Sequence, residues 1–252
     1  MDEAPRDLST ATLPRLHVEA VLAAGAAFDL PAPQSHYLAQ VMRRQVGDFV
    51  LVFDGRSGEW RARVASVGKR AVGLVVEAQT RQIESVPDLW LCAAPLKRGR
   101  IDWLAEKACE LGVARLLPVL TRRTVVDRLN HDRLFAHMIE AAEQCGRTAL
   151  PDLAEPIALP ALLAAWPPER ALIFADETGG APLAASLAAI PAPAAILIGP
   201  EGGFTPEERA AIRALPQTRA VSLGPRILRA DTAAVAAIAV WQAVQAASAD
   251  AA

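Results

Sequence analysis

The chain has 252 residues, 52% of them apolar, and a formal net charge of −2. That length can bury a sizeable core in one or two domains, and the near-neutral charge excludes a global basic field, so any RNA site must be a local patch. Cys92, Cys109 and Cys145 stand far apart with no C-x-x-C pair, which argues against a disulfide framework or a zinc site and points to a reducing compartment.

The opening residues lack a basic segment followed by a sustained apolar run, so no signal peptide is expected. No apolar stretch is long enough to span a bilayer without charges or prolines, so no membrane partner is expected. A cytoplasmic protein is the expectation. Residues 1 to about 15 are polar and irregular and read as a loose arm. From there to about 80 the pattern is β-like. Phe49–Phe53 is a short apolar run followed by the turn Asp54-Gly55-Arg56-Ser57-Gly58. Trp60–Val64 alternates apolar and polar residues, and Val72–Val76 repeats the signal, so short strands with glycine-rich turns predict a small barrel. The segment His36–Arg44 breaks the pattern. At helical spacing Leu38, Val41 and Met42 share one face, leaving Gln40, Arg43 and Arg44 mostly outside.

Residues 80 to 87 are polar and end in proline, which places a domain boundary there, with 1–85 and 86–252 as the two domains. Strand and helix then alternate. Leu89–Ala94 and Ala114–Leu120 read as strands. Between them, Ile101, Leu104, Ala108 and Leu111 mark a helix from Arg100 that stops at Gly112. A second helix covers about Asp132 to Cys145, Ala171–Ala175 and Ala194–Ile198 read as buried strands, and a last helix runs from about Thr232 to Ala247. Such alternation predicts an α/β domain, a parallel sheet with helices on both faces. Ligands in these folds sit at the carboxyl ends of strands.

Two Gly-Pro loops fall at such ends. The first is Gly199-Pro200-Glu201-Gly202-Gly203-Phe204 after Ile196–Ile198, and the second is Gly224-Pro225-Arg226-Ile227-Leu228-Arg229 after Val221–Leu223. Glycine allows turns and close ligand approach, and proline stiffens them. Side by side, the loops could form a pocket of backbone donors and acceptors suited to a nucleoside. The first lacks the ending of a Walker A loop and is no G-x-G-x-x-G; by itself it fits a tight turn as well as a ligand loop. Thr205-Pro206-Glu207-Glu208 after it is a capping box. Arg226 and Arg229 fit surface charge, with Asp231 as N-cap of the last helix, or an arginine pair for an RNA phosphate or the target base. Lys97-Arg98-Gly99-Arg100, Arg122-Arg123 and Arg43-Arg44 are each a solvated face taken singly, but together they could form a phosphate track. Arg147, after Glu143-Gln144, fits a helix C-terminus. His17, His36, His131 and His137 have no ligand-spaced partners, so no metal is expected.

These residues together resemble a family. Gly199–Phe204 with Leu223–Arg229 is similar to the RsmE-type 16S rRNA (uracil-N3)-methyltransferases of the SPOUT class. His36–Arg43 with Gly47-Asp48 and Phe53-Asp54-Gly55 resembles that family's PUA-like β-barrel. Lys97, Glu106-Lys107 and Glu110-Leu111-Gly112-Val113 resemble its first knot-domain helix, and Glu143-Gln144 with Arg147 its next polar motif. The chain departs from the family where Ala230-Asp231-Thr232 stands for the usual Thr-Glu-Thr, and where Cys145 replaces a small hydroxyl residue. The resemblance implies an α/β SPOUT-type trefoil-knot methyltransferase domain preceded by a small PUA-like barrel, S-adenosylmethionine as methyl donor, a uridine of 16S rRNA in the small ribosomal subunit as acceptor, and a homodimer.

With it come site expectations. Glu177, Gly199, Pro200, Glu201, Gly202, Leu223, Gly224, Ile227, Leu228 and Arg229 bind the cofactor. Arg229 and Asp231 are the catalytic candidates. Arg43, Arg44, Lys97, Arg98, Arg100, Arg122, Arg123, Arg147 and Arg226 bind RNA. A non-catalytic ribosome assembly factor, or a SPOUT enzyme acting on tRNA or a ribose 2′-hydroxyl, are the alternatives. The last helix is more apolar than one face of a monomer needs, with Val235, Ile238, Ala239, Trp241 and Val244, which implies deep burial or a subunit contact.

Overall fold

The computed structural model describes residues 13–97, 99–126, 128–187, 189–190 and 192–249. Most of the expected N-terminal arm, and Arg98, lie outside them. The chain forms two units, Met1–Ser85 with Ala142–Ala149 and Val86–Ala141 with Leu150–Ala252. The chain thus returns to the first unit for a short segment that no composition shift announces.

The first unit is a five-stranded sheet of β1 (Arg15–His17), β2 (Ala27–Asp29), β3 (Phe49–Phe53), β4 (Glu59–Val67) and β5 (Val72–Arg81), in the order β1-β3-β4-β5-β2. β3, β4 and β5 form an antiparallel meander, and β1 adds to β3 in parallel. The alternation in β4 works as read: Ala62 and Val64 are buried with Val50, Val52, Leu74 and Val76, while Arg61 and Arg63 reach Glu77 on the other face. The result is a half-barrel, with Leu38 packed into its core.

Helix α1 (Ala32–His36) widens into a π-turn over Tyr37–Val41. The Met42 N–H donates to Tyr37 O and the Arg44 N–H to Leu38 O, each at 2.9 Å. That widening breaks the helical spacing assumed from sequence. Leu38 is fully buried, but Val41 is 60% exposed and does not share its face.

Glu59 is the polar hub of this unit. It is buried and accepts from Arg15 Nε at 2.6 Å, from Arg81 Nη2 at 2.7 Å and Nε at 3.0 Å, and from the Thr80 hydroxyl at 3.0 Å. Arg15 also donates to the carbonyls of Ala142, Glu143 and Arg147, and Arg81 to that of Gly146. Two guanidiniums thereby satisfy carbonyls that a helix C-terminus leaves open. This is why Ala142–Ala149 belongs to the first unit. Burial raises the Glu59 pKa, but the hydrogen bonds from Arg81 and Arg15 outweigh it and leave the carboxyl below its ordinary value.

The second unit holds β6 (Leu89–Ala93), α2 (Arg100–Glu110), β7 (Arg115–Leu120), α3 (His131–Cys145, whose end counts with the first unit), β8 (Asp152–Leu153), β9 (Ile157–Ala158) and α4 (Leu159–Ala164). Then come β10 (Ala171–Ala175), β11 (Ala181–Pro182), α5 (Leu183–Leu187), β12 (Ala194–Ile198), α6 (Pro206–Ala214), β13 (Thr218–Ser222) and α7 (Ala230–Ala249). The sheet runs β11-β13-β10-β12-β6-β7-β8, with β9 beside β7, and its paired strands are parallel. One face, with Cys92, Phe174 and Leu197, packs on α4 and α6. α7 packs against β12 and also against α2 and α5. Among the described residues no helix is long and apolar enough to cross a membrane.

The expected start of α7 is corrected. It begins at Ala230 rather than Thr232, because alanine is the best helix former; the Ala233 N–H donates to Arg229 O at 2.8 Å. Asp231 therefore sits in the first turn and is not the N-cap. Of the apolar residues expected to be deeply buried or to meet a subunit, Ile238 and Trp241 are fully buried, Val235 and Val244 are half-buried and Ala239 is exposed.

Candidate active site

β12, β10 and β13 are neighbours in the parallel sheet, so their carboxyl ends open on one edge. Ile198–Gly203, Ala175–Glu177 and Ser222–Ala230 follow those ends and line a cavity of about 410 Å³. The position is the one expected for ligands of parallel sheets.

The first loop is shaped by glycines. A Cβ on Gly199 would lie 2.7 Å from the Phe204 ring, which is buried and packs edge-on against Phe174 with centroids 5.3 Å apart. Gly203 has φ +67°, where L side chains are strained, and its N–H closes a turn on Pro200 O at 2.8 Å. The capping box forms as read, with Glu208 N–H to Thr205 Oγ1 at 3.2 Å and Thr205 N–H to Glu208 Oε2 at 2.9 Å. Glu208 does more than cap. Its Oε1 accepts the Arg122 N–H at 2.7 Å, and Arg123 Nη1 donates to Gly202 O at 2.6 Å. The turn carrying both arginines is thus tied to the first Gly-Pro loop.

In the second loop Gly224 has φ +112°. Among the described residues the backbone N–H groups of Arg226, Ile227 and Leu228 have no hydrogen-bond partner. Ile227 is 88% exposed although it lines the cavity. An exposed isoleucine and open backbone donors in one loop suit contact with a ligand.

Several charges around the cavity are paired. Asp176, whose side chain is fully buried, accepts from the Thr178 N–H and hydroxyl, from Arg209 and from Arg213 Nη2 at 2.6 Å. Burial raises its pKa, yet these hydrogen bonds and the Arg209 charge hold it below the ordinary value. Arg209 also reaches Glu177 at 2.9 Å. Arg100 Nη1 is 3.2 Å from Glu201 Oε1, and its Nε is 3.8 Å from Asp231 Oδ2.

All of the residues assigned to the cofactor from sequence line this cavity, and Arg226 joins them. Asp231 stands next to the lining Ala230, ion-paired with Arg100. The RNA set is more dispersed. Lys97 and Arg43 are exposed, Arg44 is half-buried, and Arg98 is outside the described residues. Arg100 is engaged by two carboxylates rather than presented as a free cation. Arg147 is buried against Glu84 at 3.3 Å, so it is not a surface contact. Asp176 and Arg209 were not singled out from sequence. Asp176 follows a buried strand directly, which is a usable signal; nothing local marks Arg209.

Residues 84–242 match the family described as RNA methyltransferase domain, and residues 30–77 the one described as RNA methyltransferase PUA domain. The chain belongs to the RNA methyltransferase family. An α/β RNA methyltransferase domain preceded by a PUA-like unit is the fold of this family member. The proteins named Ribosomal RNA small subunit methyltransferase E from Synechocystis and Rickettsia conorii are similar to it. The first is 34% identical, covering 83% of this chain and 71% of the relative. The second is 29% identical, covering 89% and 93%. Among solved structures, the enzyme of the same name from Neisseria gonorrhoeae, bound to S-adenosyl methionine, superposes with a TM-score of 0.83 at 29% identity, covering 92% of this chain and 98% of that one. A methyltransferase of Legionella pneumophila with bound SAM gives a TM-score of 0.81 at 28% identity, covering 92% and 97%.

Proposed function

We propose that the chain transfers a methyl group from S-adenosylmethionine to small-subunit ribosomal RNA, with N3 of a uridine in 16S rRNA as the acceptor. The observation that carries this is the cavity shared by three adjacent strand ends, in a chain similar over nearly its whole length to a relative solved with that cofactor. The residues fit the group. A base edge needs backbone donors as well as acceptors, and the open N–H groups of Arg226–Leu228 supply the donors. A ribose needs a hydrogen-bond acceptor such as the Glu177 carboxylate, and about 410 Å³ lies in the range of small-molecule sites. Gly199, Pro200, Glu201 and Gly202 hold the cofactor from one loop, and Leu223, Gly224, Ile227 and Leu228 from the other.

When bound, the cofactor supplies an electrophilic methyl group on a sulfonium. The chain's own work is positioning, which removes entropy from the barrier. Arg229, exposed at the cavity, is placed to stabilise negative charge developing on a uracil carbonyl oxygen or to hold the adjacent phosphate. Uracil N3 must lose its proton during attack, and Asp231 is the candidate acceptor. A paired base hides N3, so the target is unpaired or extruded. Lys97, Arg98, Arg122, Arg123 and Arg226 in one unit, and Arg43 and Arg44 in the other, supply cations for RNA. The protein acts as a homodimer in the cytoplasm.

Incubation with labelled cofactor and unmodified small ribosomal subunits, followed by nucleoside mass spectrometry, tests the function. 3-Methyluridine is the expected product. A 2′-O-methylated nucleoside would replace the acceptor, and cofactor binding without transfer would favour an assembly factor. Light scattering at micromolar concentration should give twice 26.7 kDa; a monomeric mass would remove the homodimer.

A further inference from the structure

Glu177 sits on the cavity wall with its carboxylate held by two features. A Cβ on Gly203 would lie 2.7 Å from Glu177 Oε1, so the carboxylate rests where only a glycine leaves room. Arg209 Nη2 donates to the same oxygen at 2.9 Å. Arg209 is itself aimed. Its Nη1 is bonded to Asp176 Oδ1 and, at 3.1 Å, to Thr178 Oγ1. The other Asp176 oxygen is held by Arg213, through Nε at 3.0 Å and Nη2 at 2.6 Å. The Asp176 side chain is fully buried. A buried carboxylate thus anchors one arm of a guanidinium while the other arm grips a half-exposed glutamate at the cavity. The planar fork of arginine can hold two acids at a fixed separation, which a lysine ammonium cannot.

We propose that Arg209 is a positioning residue for the cofactor: anchored on Asp176, it orients Glu177 to accept hydrogen bonds from the ribose hydroxyls of S-adenosylmethionine. This rests on the cofactor reading above. Without Arg209, Glu177 regains rotamer freedom, and ligand binding must bear the entropy of ordering it. Gly203 serves the same end by leaving the carboxylate its place. The loss falls on ligands that carry ribose hydroxyls and not on the rest of the cavity.

The test is calorimetric titration of the full chain with S-adenosylhomocysteine and with its 2′,3′-dideoxy analogue. The wild-type protein should prefer S-adenosylhomocysteine by about tenfold or more, the size of a hydrogen bond to a charged group. Arg209→Met should lose about tenfold for S-adenosylhomocysteine and nothing for the analogue, and Arg209→Lys should recover only part. In turnover, Arg209→Met should raise KM for the methyl donor with kcat little changed. Glu177→Ala, which removes the half-exposed carboxylate and leaves the Arg209–Asp176 pair in place, should show the same selective loss, and it carries the test if Arg209→Met does not fold. Equal weakening for both ligands, or an unchanged preference in the folded variants, overturns the positioning role alone. Failure of the wild-type protein to bind S-adenosylhomocysteine overturns the cofactor reading and this role with it.

Discussion

Gly199 and Phe204 are in direct apposition: a Cβ on the glycine would stand 2.7 Å from Cε2 of the ring. The same glycine lines the cavity, so one position serves both the site and the core. Phe204 cannot retreat, because it is buried against Phe174. Gly199→Val is therefore not a silent probe of the pocket. It should destabilise the protein by about 1–3 kcal/mol, the range for overpacking, and lower cofactor affinity as well. Chemical denaturation beside calorimetry separates the two effects. Unchanged stability would mean that the ring yields more readily than its packing implies.

Acid sensitivity should trace to two buried carboxylates. Glu59 and Asp176 both have pKa values held below their ordinary ones in the folded state. A depressed carboxylate contributes stability that is fully present above its unfolded pKa, about 4, and lost as pH falls through the lower folded value. Stability should thus be flat near neutrality with respect to these groups and fall below about pH 4. Glu59→Gln should cost about 3 kcal/mol at neutral pH, because Arg15 is left buried with reduced compensation. The gap between wild type and variant should narrow on acidification. A gap that stayed constant down to pH 2 would show that Glu59 is not the titrating group.

Asp231 separates two accounts of the missing proton. If it accepts the N3 proton, Asp231→Asn should lower turnover by about a hundredfold or more while cofactor affinity stays near wild type. Asp231→Glu, which restores the glutamate usual in this family, should keep most of the activity, since the longer carboxylate also remains within range of Arg100. Full turnover by Asp231→Asn would leave solvent as the acceptor and Asp231 as the partner of Arg100 alone.

Much of the candidate cavity was legible because glycine and proline act locally. Each Gly-Pro pair follows an apolar run, and turn chemistry needs no distant partner to be recognised. The sheet was legible for the same local reason in β6, β7, β10 and β12, whose apolar runs span five or six residues. β8, β9 and β11 span two residues each and carry no periodicity. The contacts that shape the cavity walls were illegible, because they join residues far apart in sequence. Arg209 meets Glu177 across 32 positions, and Arg100 meets Glu201 across 101. Arg147, expected to bind RNA, is instead buried and paired with Glu84 across 63 positions. The π-turn was invisible because helical spacing was the very assumption it breaks.

That π-turn bears on RNA binding. Arg43 follows it with φ +51°, an unusual conformation for a non-glycine residue, and exposed Val41 and Val46 flank the arginine pair. Both π-turns and left-handed residues are enriched at functional sites. Arg43 is exposed, and Arg44 keeps its half-buried place with its backbone N–H fixed to Leu38 O. If both guanidiniums meet phosphate, Arg43→Ala/Arg44→Ala should weaken RNA binding and flatten the dependence of log affinity on log salt by about 1.5–2. Sequence preference should change little, because phosphate contacts position and do not specify. Cofactor affinity should be unchanged, since neither arginine lines the cavity. Binding is to be measured with purified small subunits over a salt series, with calorimetric cofactor titration as the control. An unaltered salt slope together with wild-type methylation at subsaturating RNA would reduce this segment to a solvated face and move recognition to the Lys97 and Arg122–Arg123 surface.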